Sequence, residues 1–126
     1  MRQVTRNIDP ASACDLLERV PRACISFADE HGPRAEPVIL VWNDGRYFVG
    51  VAENVDPRPR PGQEVVLLVD EGVYFFDLRA LYTRGRVEPA QPPRDAVAGQ
   101  TWFELTPLKT VAWDYGGLRE VSDENG

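Results

Sequence analysis

The stretch Pro37-Val38-Ile39-Leu40-Val41-Trp42-Asn43-Asp44-Gly45-Arg46-Tyr47-Phe48-Val49-Gly50-Val51 decides the fold class. Its first six residues are continuously apolar, the pattern of a strand covered on both faces. Asn43-Asp44-Gly45 is a hairpin signal, because Asp-Gly tolerates the positive φ angles that a tight two-residue turn demands. Arg46 to Val51 is then the returning strand.

Outward from this hairpin the strand pattern continues. Upstream, Ala23, Ile25 and Phe27 alternate with Cys24, Ser26 and Ala28, and Asp29-Glu30-His31-Gly32 turns the chain. Earlier still, Asp9-Pro10 reads as an N-cap with proline at the first helical position. Ala13, Leu16, Leu17 and Val20 follow at helical spacing, and Pro21 ends this short amphipathic helix. Residues 1–8 read as a polar lead-in. Downstream, Pro57, Pro59 and Pro61 keep Glu53 to Gly62 out of regular structure. Glu64 to Asp70 is an apolar strand. Asp70-Glu71-Gly72 turns it into Val73 to Val87, a long strand or two strands with a bulge. Residues 89–100 hold Pro89, Pro92 and Pro93 and are expected to form a loop with one helical turn at Asp95 to Ala98. Trp102 to Leu105 and Thr110 to Tyr115 are expected to make a last strand broken at Pro107, and the acidic tail after Arg119 is expected to fray.

The count is about six strands with only short helices, no βαβ rhythm and no internal repeat. That predicts an all-β antiparallel barrel or sandwich. The outside of a small barrel should be polar, so the apolar run at 37–42 calls for a cover, and a homodimer interface is the simplest one in so short a chain.

With 126 residues the chain fits one domain, 1–126, with its core at about 10–119. The 43% hydrophobic and 27% charged content excludes intrinsic disorder and a membrane protein. Twenty acids against 14 bases give a net charge of −6, which argues against bulk nucleic-acid binding. Thirteen of the bases are arginine and only Lys109 is lysine. A GC-rich genome accounts for the bulk of that excess, while individual guanidiniums suit bidentate contacts to phosphate or carboxylate. Cys14, Cys24 and the single histidine, His31, form no metal-ligand or Cys/His catalytic pattern, so no metal is expected and the cysteines read as small buried hydrophobes. A polar N-terminus and the absence of a long apolar run predict a cytoplasmic protein without a signal peptide or membrane span.

The order of the pieces is similar to a known family. Arg22-Ala23-Cys24-Ile25-Ser26-Phe27 follows the helix. Pro37 to Trp42 and Asp44-Gly45-Arg46-Tyr47-Phe48 come next, then Val65-Val66-Leu67-Leu68-Val69-Asp70. Leu81-Tyr82-Thr83-Arg84-Gly85-Arg86-Val87-Glu88 carries an RGxxE-like piece, and Lys109-Thr110-Val111-Ala112-Trp113-Asp114-Tyr115 closes the chain. Over about residues 10–119 this resembles the pyridoxamine 5′-phosphate oxidase-like FMN-binding split barrels, in particular small actinobacterial members that bind FMN or the deazaflavin F420. The resemblance implies a six-stranded split β-barrel with a Greek key, flanked by short helices. It also implies a homodimer with two cofactor sites at its interface. The family usually places a lysine for the flavin phosphate after the third strand. Here Gly50 to Arg60 has none, and the helix that normally follows is a proline-rich loop.

The resemblance makes Arg58 or Arg60 the replacement for that charge, on a loop stiffened by proline, with a solvated polar loop as the alternative. Arg84 and Arg86 lie two apart on a strand, so they share a face with Tyr82 beside them, and either bind an anion or pair with acids such as Glu88. Arg79 faces the other way and reads as an ion-pairing residue. Trp113 and Tyr115 stand where family members approach the partner's cofactor, and an aromatic there suits stacking on a flavin ring, with core packing as the alternative. Trp42 and Tyr47 read as core or dimer contacts, and Arg119 either caps the site or belongs to the tail. No acid–base constellation is visible, as expected where the cofactor carries the redox chemistry. The expectation is a flavin (FMN) or deazaflavin (F420) dependent oxidoreductase acting on a small organic substrate. The alternative is a non-catalytic split barrel that binds a cofactor or tetrapyrrole, or has lost its phosphate site. A nucleic-acid barrel using the aromatics and arginines of Tyr74 to Arg86 is opposed by the net charge.

Overall fold

The computed structural model describes residues 3–5, 7–116 and 119–121. In chain order its strands are β1 (Gln3–Thr5), β2 (Asn7–Ile8), β3 (Ala23–Asp29), β4 (Gly32–Pro37), β5 (Ile39–Asn43), β6 (Arg46–Ala52), β7 (Glu64–Glu71), β8 (Arg79–Pro89), β9 (Gln100–Asp114) and β10 (Arg119–Val121). One helix, α1 (Cys14–Arg19), follows a 3₁₀ turn at Pro10–Ala13.

The hairpin forms as the sequence requires. Asn43 pairs with Arg46, leaving Asp44 and Gly45 as a two-residue turn with φ of 53° and 74°. Two positive φ angles in a row define the type I′ turn that matches strand twist. The main sheet runs β4-β3-β7-β8-β9-β6-β5, all antiparallel, with β2 added on β9, while β1 pairs with β10 separately. The sheet curls into a half-barrel because β4 passes directly into β5. The Val38 N–H between them donates to Ala23 O at 3.1 Å, so the chain leaves β3 and joins β6 within one residue. Strand alternation sends Ile25, Leu67, Leu81, Leu105, Val49 and Val65 inward, where they are fully buried. Asp9 caps the 3₁₀ turn by accepting from Ala11 N at 3.0 Å. α1 then drives Leu16 and Leu17 into the core. Val20 at φ 45° ends the helix in left-handed geometry, one residue before Pro21.

The structure corrects several expectations. Seven strands, not six, form the curled sheet. The added one is β4, whose Pro33 and Pro37 disguise it; it pairs on one side only, and an edge strand tolerates missing N–H donors. The run at 37–42 is not one doubly covered strand: it is split at Val38, and only Leu40 is buried within this chain. Val73 to Leu78 is not strand but a loop with a 3₁₀ turn at Phe75–Asp77. Residues 95–98 form no helical turn; the chain there makes a tight turn closed by Ala96 N to Pro93 O. Pro107 does not break β9. It sits opposite Gly85, where the register shifts, and Leu108 is squeezed out as a bulge, 54% exposed. A bulge is where a strand can spare a donor. Within the lead-in and tail, residues 3–5 pair with 119–121, so the start of the tail is held; 122–126 lie outside the described residues.

Candidate functional site

The inward side of β3, β7, β8 and β9 is core, so their outward side decides what this molecule presents. The register aligns Cys24 with Leu68, Leu68 with Tyr82 and Tyr82 with Val111 across four strands. One step along, Ser26, Val66 and Arg84 align in the same way. Trp113 leans on Tyr82, ring centroids 5.0 Å apart and tilted by 43°. This face is half-buried and mostly apolar.

A groove runs along it as four adjoining depressions. At one end a cleft of about 150 Å³ is lined by Asp29, Arg58, Arg60, Gln63 and Phe27. It shares Phe27 with a shallow depression of about 300 Å³ over Ser26, Pro33 and Val66. That one shares Ser26 and Val66 with a depression of about 380 Å³ floored by Cys24, Leu68, Tyr82 and Trp113. The last, about 180 Å³, shares Leu68 and Trp113 and ends at Leu78, Arg79 and Tyr115. The six residue steps along β7 from Glu64 to Asp70 make the groove about 20 Å long.

The loop at the cleft end is pinned. Pro59 is buried between exposed Arg58 and Arg60. The Gln63 side chain accepts from Arg60 N at 2.9 Å and donates to Ala28 O at 2.6 Å, tying the loop to β3. Gly62 N donates to Val87 O at 2.7 Å, tying it to β8. Arg58 Nη1 donates to Thr101 Oγ1 at 2.8 Å, and the Arg60 guanidinium has no partner among the described residues.

Charge pairing sorts the arginines. Arg19, Arg22, Arg34, Arg46 and Arg79 all meet carboxylates. Arg79 bridges Asp15 and Glu71 at 2.9 Å each, fastening α1 to the sheet. The hydrogen bonds from Arg79 and Arg19 hold the Asp15 carboxyl well below its usual range. Burial pushes Glu71 up, but the same two arginines outweigh it and leave it lowered. In the groove, burial and then the Asp70 charge raise the Cys24 thiol above its ordinary value.

The structure thus brings Arg58 and Arg60 to one end of the groove and Trp113 and Tyr115 to the other. Arg84 and Arg86 share the same sheet face, but Arg84 is held by Glu64 at 3.0 Å and Arg86 donates to Gly62 O at 3.3 Å. Tyr47 is core and Trp42 packs against it. The Arg119 side chain lies outside the described residues. Sequence reasoning missed Gln63, Thr101 and the Val66–Leu68 floor. Alternation in β7 marks the floor, whereas Gln63 and Thr101 matter only through partners 35 and 43 positions away. Among the described residues no three His, Cys, Asp or Glu side chains gather to hold a metal, and no helix is long and apolar enough to cross a membrane.

A half-barrel of seven antiparallel strands with one short helix is the split β-barrel architecture. Solved structures share it. The FAD binding protein from Mycobacterium smegmatis matches at a TM-score of 0.68 with 13% identity, covering 90% of this chain and 97% of that one. A candidate pyridoxamine 5′-phosphate oxidase from Corynebacterium glutamicum matches at 0.62 with 13% identity, covering 86% and 90%. The FAD and heme binding protein from Mycobacterium smegmatis matches at 0.66 with 12% identity, covering 97% and 78%. No family model and no curated protein matches the sequence.

Proposed function

We propose that this chain is a cofactor-binding split barrel of the pyridoxamine 5′-phosphate oxidase-like family. In this reading it works in the cytoplasm as a homodimeric oxidoreductase that uses FMN or F420 on a small organic molecule. The observation that carries the proposal is the groove: an apolar floor with an aromatic pair toward one end and, at the other, two arginines with no acid partner among the described residues. The fit is chemical. A phosphate needs donors that are not already neutralised, and Arg58 and Arg60 are such donors. A flat ring system needs an apolar platform, and Leu68, Tyr82 and Trp113 form one. The names of the fold neighbours, which include FAD and haem binding, support the cofactor class.

When bound, the flavin or deazaflavin ring accepts and returns the hydride. The chain's own residues bind and orient. Arg58 and Arg60 hold the phosphate, Arg86 adds positive potential along the same face where Glu64 offsets Arg84, and Trp113 and Tyr115 flank the ring end. The apolar floor keeps water from the reacting face. The test is the visible spectrum of the purified protein titrated with FMN, FAD and F420. A bound-flavin or bound-deazaflavin spectrum at micromolar concentration is expected, and no binding of any of the three overturns the reading.

The non-catalytic alternative draws on the same geometry, because two arginines without an acid partner among the described residues, beside an apolar floor, also suit a tetrapyrrole with two propionates. A Soret shift on adding haem, with no flavin binding, decides for it.

A further inference from the structure

Gln63 commits both its backbone and its carboxamide to the loop that carries Arg58 and Arg60. Residues 60–63 form a β-turn closed by Gln63 N, which donates to Arg60 O at 3.0 Å. Pro61 and Gly62 are its central residues, and Gly62 at φ 78° supplies the positive φ that a type II turn requires at its third position. The side chain then answers the backbone, because Gln63 Oε1 accepts from Arg60 N at 2.9 Å. Both backbone polar groups of Arg60 are thereby held by one residue. Gln63 Nε2 donates to Ala28 O on β3 at 2.6 Å, and Val87 N on β8 donates to Gln63 O at 3.1 Å. The two side-chain bonds fix the amide's orientation. A flipped carboxamide would set its NH2 against the Arg60 N–H and its oxygen against Ala28 O.

These bonds decide where the Arg60 side chain starts from. Buried Pro59 precedes it, and Pro61 keeps the residue before it extended. Without the carboxamide the turn keeps its ties to β8 but loses the one to Ala28. The Arg60 guanidinium lines the cleft and has no partner of its own among the described residues, so only its backbone aims it there. Asp29 lines the same cleft but is turned to Arg34 at 3.4 Å and to His31 N at 2.7 Å. An arginine on a loose loop has to be ordered when an anion arrives, whereas one on a braced turn has much of that ordering built in.

We propose that Gln63 is a positioning residue for the anion cleft. It acts through Arg60, by holding the backbone from which that guanidinium reaches a phosphate. The proposal rests on the phosphate-binding role given to the cleft above.

The test uses the full chain with inorganic pyrophosphate, FMN and riboflavin as probes. Gln63→Met keeps the length of the side chain and removes both of its hydrogen bonds. Its dissociation constants for pyrophosphate and FMN are expected to rise about three- to tenfold, the cost of ordering one arginine at binding, with riboflavin binding unchanged. Exchange of the Arg60 amide proton is expected to quicken. Gln63→Asn leaves the carboxamide one methylene short of its partners and carries the same expectations. Made in the Arg60→Met background, Gln63→Met is expected to weaken pyrophosphate no further, because the group it positions is gone. A general loosening of the fold would instead give additive losses, or weaken riboflavin as much as FMN, and either result overturns the proposal. Unchanged pyrophosphate binding alongside quicker Arg60 exchange overturns it as well. A wild-type chain that binds pyrophosphate but not FMN, with the coupling intact, sustains the role of Gln63 and sinks the cofactor reading. FMN binding without the coupling does the reverse, and a wild-type chain that binds neither ligand sinks both.

Discussion

Replacing Arg60 by methionine removes a charge from the groove without removing any contact that holds the fold, because its guanidinium meets no partner among the described residues. Its backbone N–H still donates to Gln63, so the loop keeps its shape. A hydrogen bond to a charged group contributes about 1.5–3 kcal/mol. The cleft is open to water, so the lower half of that range applies, and each 1.4 kcal/mol is tenfold in affinity. The Kd for FMN should therefore rise about 10- to 40-fold in Arg60→Met. Riboflavin, which has the ring but no phosphate, should bind wild type and variant alike. Fluorescence titration of both ligands on both proteins closes the cycle, with thermal unfolding run beside it. Arg94→Met, which removes an exposed arginine that lines none of the four depressions, is the control and should change nothing. Equal weakening of riboflavin and FMN would place the loss in the ring or the fold. An unchanged FMN Kd would refute the phosphate role of Arg60.

Three further outcomes follow from the packing and the charges. Gly85→Ala drives a Cβ into the Thr106 carbonyl oxygen at the β8–β9 bulge, where only backbone movement gives room; thermal unfolding should show a loss of about 3 kcal/mol. Gly50→Ala meets the Trp102 ring at 2.9 Å, a side chain that can tilt, and should cost clearly less in the same assay. Because Arg79 and Arg19 hold Asp15 below its ordinary value, the unfolded chain binds more protons than the native one in acid. Stability should therefore fall as pH drops from about 5 toward 2, and the melting curve of Asp15→Asn should be flatter over that window and draw closer to wild type toward its acid end.

The parts of the fold legible in the sequence are those set by local chemistry. Asp44-Gly45 permits positive φ twice in succession, so the hairpin register followed directly, and the alternation of Ala23 to Ala28 gave β3 its inner and outer faces. What was hidden depends on neighbours far along the chain. Residues 33–36 carry no apolar alternation and Pro37 reads as the start of the 37–42 run, yet β4 is a strand because β3 pairs it on one side only. Pro107 breaks a strand on paper, yet the bulge opposite Gly85 absorbs it. The same limit applies to the site. The thirteen arginines look alike as letters, and only their partners separate Arg60, whose guanidinium has none among the described residues, from Arg84, held by Glu64.

The fifteen residues of β9 have a bearing on how the chain is made. β9 pairs with β2, β6 and β8, so its ladders join the β6 edge of the β5–β6 hairpin to the β8 edge of the sheet. Until residues 100–114 have left the ribosome, β6 and β8 each present an open edge to the surrounding solution. Folding must then wait for pairings distant in sequence, a topology that places barrels among the slower folders, in milliseconds to seconds. The nascent chain is most exposed to misassociation in that interval. Truncation before Gln100 should accordingly yield aggregate, and not a smaller folded barrel.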